Sequence, residues 1–134
     1  MNKAGVSDIP RIVDYLADFH AHSGLLAPFD ADDAADFVGV LVASDEAAVF
    51  VSDRGVIGGA VTPIFFNADW LMAVELFWWS RGDGVRLLRA FERWALDCGV
   101  QEIRLSSLSA IPRSAKLIAR CGYVHAEACY VKAV

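Results

Sequence analysis

The sequence predicts an α+β domain: a mixed, mostly antiparallel sheet of six to seven strands with helices on both faces. Three observations point there. Residues 47–79 read as a meander of strands joined by turn signals. Two segments of helical period precede it. After it, helix and strand alternate, which requires a crossover within the same sheet. The 134 residues read as one domain, 1–134, long enough to bury a core without staples.

The elements follow in order. Ser7 or Asp8 can cap a first helix, with Pro10 suited to its first turn and Gly24 as its stop. Ile12, Val13, Leu16, Phe19 and His20 recur there at helical spacing. A second helix is expected over 30–43, with Asp30, Asp32 and Asp33 at its positive end and Phe37, Val40 and Leu41 as its apolar face. Residues 47–52 and 56–66 are strands around the turn Asp53-Arg-Gly55. Gly58 and Gly59 mark a bulge or a close approach to the backbone. Residues 70–79 form the third strand of the meander. Simple alternation places Leu71, Ala73, Glu75, Phe77 and Trp79 on one face. A helix over 84–98 shows an apolar stripe of Leu87, Leu88, Phe91, Trp94 and Ala95. Residues 100–107 are a strand, 112–121 a helix, and 123–125 and 128–134 two terminal strands. A short strand before Ser7 would be the seventh.

Composition excludes several functions. Hydrophobic residues make up 56% and charged residues 22%, which rules out a disordered chain. A mean hydropathy of +0.40 is high. No window approaches the roughly 20 uninterrupted apolar residues of a membrane span, so the surplus points to an aromatic core or a buried homodimer face. The net charge of −5, with no basic stripe, argues against nucleic acid. Three cysteines without CxxC spacing, and an N-terminal stretch with no apolar signal-like run, read as a cytoplasmic protein with reduced thiols. His20 and His22, two apart on a helix, face different sides, so no metal site is expected.

The chemistry gathers in one stretch, Glu75-Leu-Phe-Trp-Trp79, then Ser80-Arg-Gly-Asp-Gly84, then the helix. A tight glycine turn into a helix offers backbone N–H groups at a positive end, which suits an anion. Glu75, inside an aromatic strand, is the candidate general base, its pKa raised by burial; the alternative is a structural carboxylate.

These blocks, with Ala115-Lys-Leu-Ile-Ala-Arg-Cys-Gly-Tyr123 and Tyr130-Val-Lys132, resemble the GCN5-related N-acetyltransferase (GNAT) superfamily, most closely its compact phage and bacterial members. The resemblance covers nearly the whole chain. It implies an acetyl-coenzyme A-dependent N-acetyltransferase that transfers an acetyl group to an amine of a small molecule or peptide by direct attack. It further implies that backbone groups around Phe77, Trp78 and Trp79 hold the pantetheine and thioester. The turn and helix start, Arg81, Gly82, Asp83, Gly84, Val85 and Arg86, would hold the pyrophosphate, and Ser107 would lie beside the pantetheine. Two positions depart from the family pattern. Trp79 stands where the turn usually begins with a polar or basic residue, leaving Arg81 to supply charge. Ile118 stands where a tyrosine often protonates the leaving thiolate, leaving Tyr130 or Tyr123 as replacements. Asp83 falls at the N-cap, where its carboxylate either caps the helix or leaves the amides to phosphate. The alternative reading is a non-catalytic binding or dimerisation module with a degenerate coenzyme A site.

Overall fold

A computed structural model describes residues 2–134. The elements are β1 (Asn2–Lys3), a 3-10 turn (Val6–Asp8), α1 (Ile9–Ser23), α2 (Ala31–Ala43), β2 (Ala47–Val51), β3 (Gly55–Ile64), β4 (Asn67–Ser80), α3 (Gly84–Asp97), β5 (Glu102–Arg104) and α4 (Pro112–Arg120). One sheet runs β1-β2-β3-β4-β5. Its first four strands are antiparallel, and β5 pairs parallel with β4.

The sheet thus has five strands rather than six or seven. Residues 123–125 and 128–134 form no ladder. The reason is at the edge: β5 pairs with β4 through three residues only, and its Arg104 reaches the tail by an ion pair to Glu127 at 3.2 Å. Alternation in Tyr130-Val-Lys132 fits a strand only where backbone partners exist.

The two faces of the sheet carry separate cores. On one, α1 and α2 press Ile12, Val38 and Leu41 onto Val49, Val51, Val56 and Phe77. On the other, α3 presses Leu87, Leu88, Phe91 and Ala95 onto Ile57 and Ala73. Each fully buried large side chain contributes about 1.5–3 kcal/mol. In α2 the buried residues are Val38 and Leu41, whereas Phe37 and Val40 are exposed. Residues 37–43 are almost uniformly apolar, so periodicity does not fix the phase of this helix and packing does. Asp30 caps it, accepting from the Asp33 amide at 2.9 Å.

A bulge interrupts the β3–β4 ladder and reverses the phase of β4. Gly58 faces Phe77 and Gly59 faces Glu75, which leaves Leu76 as the extra residue. Glu75 therefore shares the α3 face with Ala73, while Phe77 belongs to the opposite core. The single-face alternation expected for 71–79 fails here. Both glycines are needed because a Cβ on Gly58 would lie 2.3 Å from the Phe77 ring, and one on Gly59 would lie 2.4 Å from the Val74 carbonyl oxygen.

Candidate active site

The β4–β5 ladder ends just before the bulge. β4 and β5 remain paired only to Val74 and Arg104, and beyond that point the strands separate. The gap widens into a cleft of about 860 Å³, walled by β4 from Glu75 to Ser80, the turn into α3, the loop after β5, and α4.

Glu75 stands where the strands part. It is buried, and its Oε1 accepts a hydrogen bond from the Ser106 amide at 3.0 Å across the gap. Burial pushes its pKa from 4.5 up to about 7, against the opposing pull of the Ser106 amide. A carboxylate poised there exchanges protons at neutral pH. Ser106, not Ser107, lines the cleft and holds this group. Trp78 and Trp79 line it as well, whereas the Phe77 side chain lies in the α1 core.

At the other end, the turn uses most of its own amides. Arg81 N–H donates to the Arg54 carbonyl at 3.0 Å. The Ser80 hydroxyl oxygen accepts from Gly82 N–H at 3.1 Å and Asp83 N–H at 2.9 Å, and donates to the Asp83 carboxylate at 2.6 Å. Asp83 therefore does not cap α3 with its side chain. The first intrahelical bond runs from Leu87 N–H to the Asp83 carbonyl at 3.1 Å. Among the described residues the amides of Gly84, Val85 and Arg86 have no acceptor, so the open amides lie further into the helix than the turn Arg81 to Gly84. Partial burial of Asp83 raises its pKa, but the Ser52 and Ser80 hydroxyls, its own amide and Arg86 outweigh this and hold it below the usual carboxylate range. The Arg81 guanidinium is ion-paired to Asp18 on α1 and is not free to serve the turn as a charge.

The replacement tyrosines are elsewhere. Tyr130 is 91% exposed on the tail. Tyr123 packs against α3 and donates its hydroxyl to Glu92 at 2.6 Å; burial and that carboxylate push its pKa far above the ordinary phenol value. No tyrosine lines the cleft. The sequence reading missed Arg113, Lys116 and Arg120, which line the cleft from α4. Their spacing of three and then four residues is the detectable signal of a basic helix face. It also missed His22. The ring of this residue stacks on Trp79 at 5.0 Å, and its Nδ1–H donates to the Asp18 carbonyl at 2.8 Å. Among the described residues no cluster of three metal-ligating side chains occurs, and no helix is long and apolar enough to cross a membrane.

No family model and no curated protein sequence matches the chain. Solved structures do match. A predicted acetyltransferase from Clostridium acetobutylicum, crystallised with acetyl-CoA, aligns with a TM-score of 0.77 at 13% identity over 98% of this chain and 94% of its own. The aminoglycoside N-acetyltransferase AAC(6')-Iy in complex with CoA aligns at 0.75 and 13% identity, over 99% of this chain and 92% of its own. A transcriptional regulator from Bacillus halodurans C-125 aligns at 0.79 and 14% identity, over 99% of this chain and 97% of its own. The chain has the GNAT fold. At such identities the likeness establishes architecture, and function rests on the site.

Proposed function

We propose that the protein is an N-acetyltransferase that uses acetyl-coenzyme A as co-substrate and a small amine as acceptor. The observation that carries this reading is the cleft opened by the parting of β4 and β5: unpaired helix amides stand at one end and a carboxylate with a pKa of about 7 stands where the strands separate. Arg86, Lys116 and Arg120 give its walls a positive field that suits phosphates. Neighbours of the same fold bind acetyl-CoA or CoA, which supports the choice of co-substrate.

In this scheme the amides of Gly84, Val85 and Arg86 bind the pyrophosphate, and Trp78 and Trp79 flank the pantetheine arm. Glu75 takes the proton from the attacking amine, directly or through one water. The thiolate is a competent leaving group, since a free thiol has a pKa of about 8.5. The scheme therefore does without a tyrosine acid. Free thiols at Cys98, Cys121 and Cys129 fit a reducing compartment such as the cytoplasm. The exposed aromatic tip formed by Phe65 and Phe66 fits a homodimer contact.

Titration calorimetry with acetyl-CoA, followed by thiol release across an amine panel, tests the reading. Binding with turnover of at least one amine is expected. Absence of both would overturn it in favour of a non-catalytic module, for which the self-occupied turn amides would then be the structural reason.

A further inference from the structure

The cleft concentrates the chain's positive charge. Arg81, Arg86, Arg113, Lys116 and Arg120 line it, and among the described residues its only carboxylates are Glu75 and Asp83, in a chain of net charge −5. Arg81 is held by Asp18. The other four cations have no carboxylate within ion-pair distance among the described residues. Asp83 feels the charge of Arg86, but its carboxylate accepts from the Ser80 hydroxyl.

Three of these four cations come from α4, which carries no acidic residue. Local physics disfavours that arrangement. Arg113, Lys116 and Arg120 stand three and then four apart, so like charges are neighbours on one face. Arg113 also lies in the first turn, at the positive end of the helix dipole, where a cation is unfavourable. An anion from outside the chain would offset this repulsion. The independent observation lies at the start of α3, in the same cleft, where the amides of Gly84, Val85 and Arg86 have no acceptor among the described residues.

The course of α4 divides its cations. The helix begins beside the end of β4, where Pro112 and Arg113 share a hollow of about 290 Å³ with His22 and Trp79. Past its end, Cys121 and Tyr123 pack into the α3 core, and the Tyr123 hydroxyl donates to Glu92 on α3. Lys116 and Arg120 thus stand progressively nearer α3, whose first turn supplies Arg86. Open amides on one wall and unpaired cations on another fit a ligand with two separate phosphate groups. Coenzyme A is such a ligand, with a pyrophosphate and, on the same nucleotide, a 3′-phosphomonoester. A phosphomonoester has a second pKa of about 6, so it carries nearly two negative charges at neutral pH. Guanidinium groups bind it bidentately, and an ammonium binds it as a point charge.

We propose that Lys116 and Arg120, with Arg86, seat the 3′-phosphate of coenzyme A, so that the protein selects coenzyme A over its 3′-dephospho form. The inference rests on the acetyltransferase reading above and specifies the form of the co-substrate. The α3 amides keep the pyrophosphate, and no bond is made or broken at the 3′-phosphate.

Titration calorimetry with coenzyme A and 3′-dephospho-coenzyme A tests this independently of turnover. The wild type should bind coenzyme A about tenfold more tightly at low salt, and the ratio should shrink as ionic strength rises. Lys116→Gln combined with Arg120→Gln should bring the ratio to about one, with Arg120→Lys intermediate. In thiol release the double variant should lose mainly through KM for acetyl-CoA. Arg93→Gln, on the exposed side of α3 and outside the cleft, should leave the ratio unchanged; an equal fall there would reveal a general charge effect and overturn the seat. Equal binding of the two forms by the wild type, or an unchanged ratio in the double variant, overturns the seat and leaves the acetyltransferase reading standing. Binding of neither form overturns that reading and this inference with it.

Discussion

Glu75 was readable from the sequence as a carboxylate in an aromatic strand; its partner was not. Only the parting of β4 and β5 brings the Ser106 amide to its Oε1. The raised pKa has a cost whose sign is fixed. As pH climbs from 4.5 to about 7, the unfolded chain ionises Glu75 while the folded chain keeps the proton, so stability falls across that window. The integrated loss is about 3 kcal/mol, complete above neutral pH. Glu75→Gln stays neutral and retains an oxygen for Ser106. It should therefore match the wild type in denaturant melts near pH 4 and exceed it by about 1–3 kcal/mol at pH 8. In activity the direction reverses. Wild-type kcat/KM should rise with pH through a midpoint near 7 to a plateau above it, and the variant should lose that limb together with about 10²–10⁴ in rate. A variant that loses stability at pH 8, or keeps the pH profile, would assign Glu75 a purely structural role.

The strand, turn and helix from Glu75 onward show how far local pattern reaches at the scale of elements. The amphipathic stripe and the glycine turn were legible because both are short-range. The glycine pair Gly58-Gly59 marked the bulge in the sequence; that Leu76 is its extra residue was not legible, since that depends on which β3 glycine faces which β4 residue. Nor was the self-bonding of the turn, in which Ser80 takes the Gly82 and Asp83 amides. This arrangement settles the question of the cap, because Asp83 turns back to Ser80 and leaves the first amides of α3 open. Its charge still faces the cleft. Asp83→Asn keeps an acceptor for Ser80 and removes that charge. Acetyl-CoA should then bind about two- to fivefold more tightly at low salt, a gain that shrinks as ionic strength screens the field. Calorimetry at two salt concentrations checks this; weaker binding would show that the carboxylate organises the turn more than it repels phosphate.

For the molecule as a whole, the apolar surplus is only partly accounted for by the two cores. Phe65 and Phe66, at the β3–β4 hairpin, are 96% and 71% exposed and stack edge to face at 5.0 Å. The apolar surplus pointed to an aromatic core or a dimer face, and the long hairpin keeps these two rings out of the core. Sedimentation should show a dimer at micromolar concentration, and replacing both phenylalanines with serine should yield a folded monomer. A wild-type protein that sediments as a monomer at every concentration would dismiss the dimer.

The sequence by itself determined the order and type of the elements from β2 to α4. Those are properties of short-range periodicity, caps and glycine turns, which act within about one turn or one strand. The tertiary structure alone decided the number of strands, because a strand exists only when an edge is free to receive it. It decided the face to which Glu75 belongs, because one extra residue reverses a period of two. And it decided the basic α4 wall and the hollow beside Trp79, because residues 22, 79 and 113 meet only when helices from opposite ends of the chain close on the same gap in the sheet.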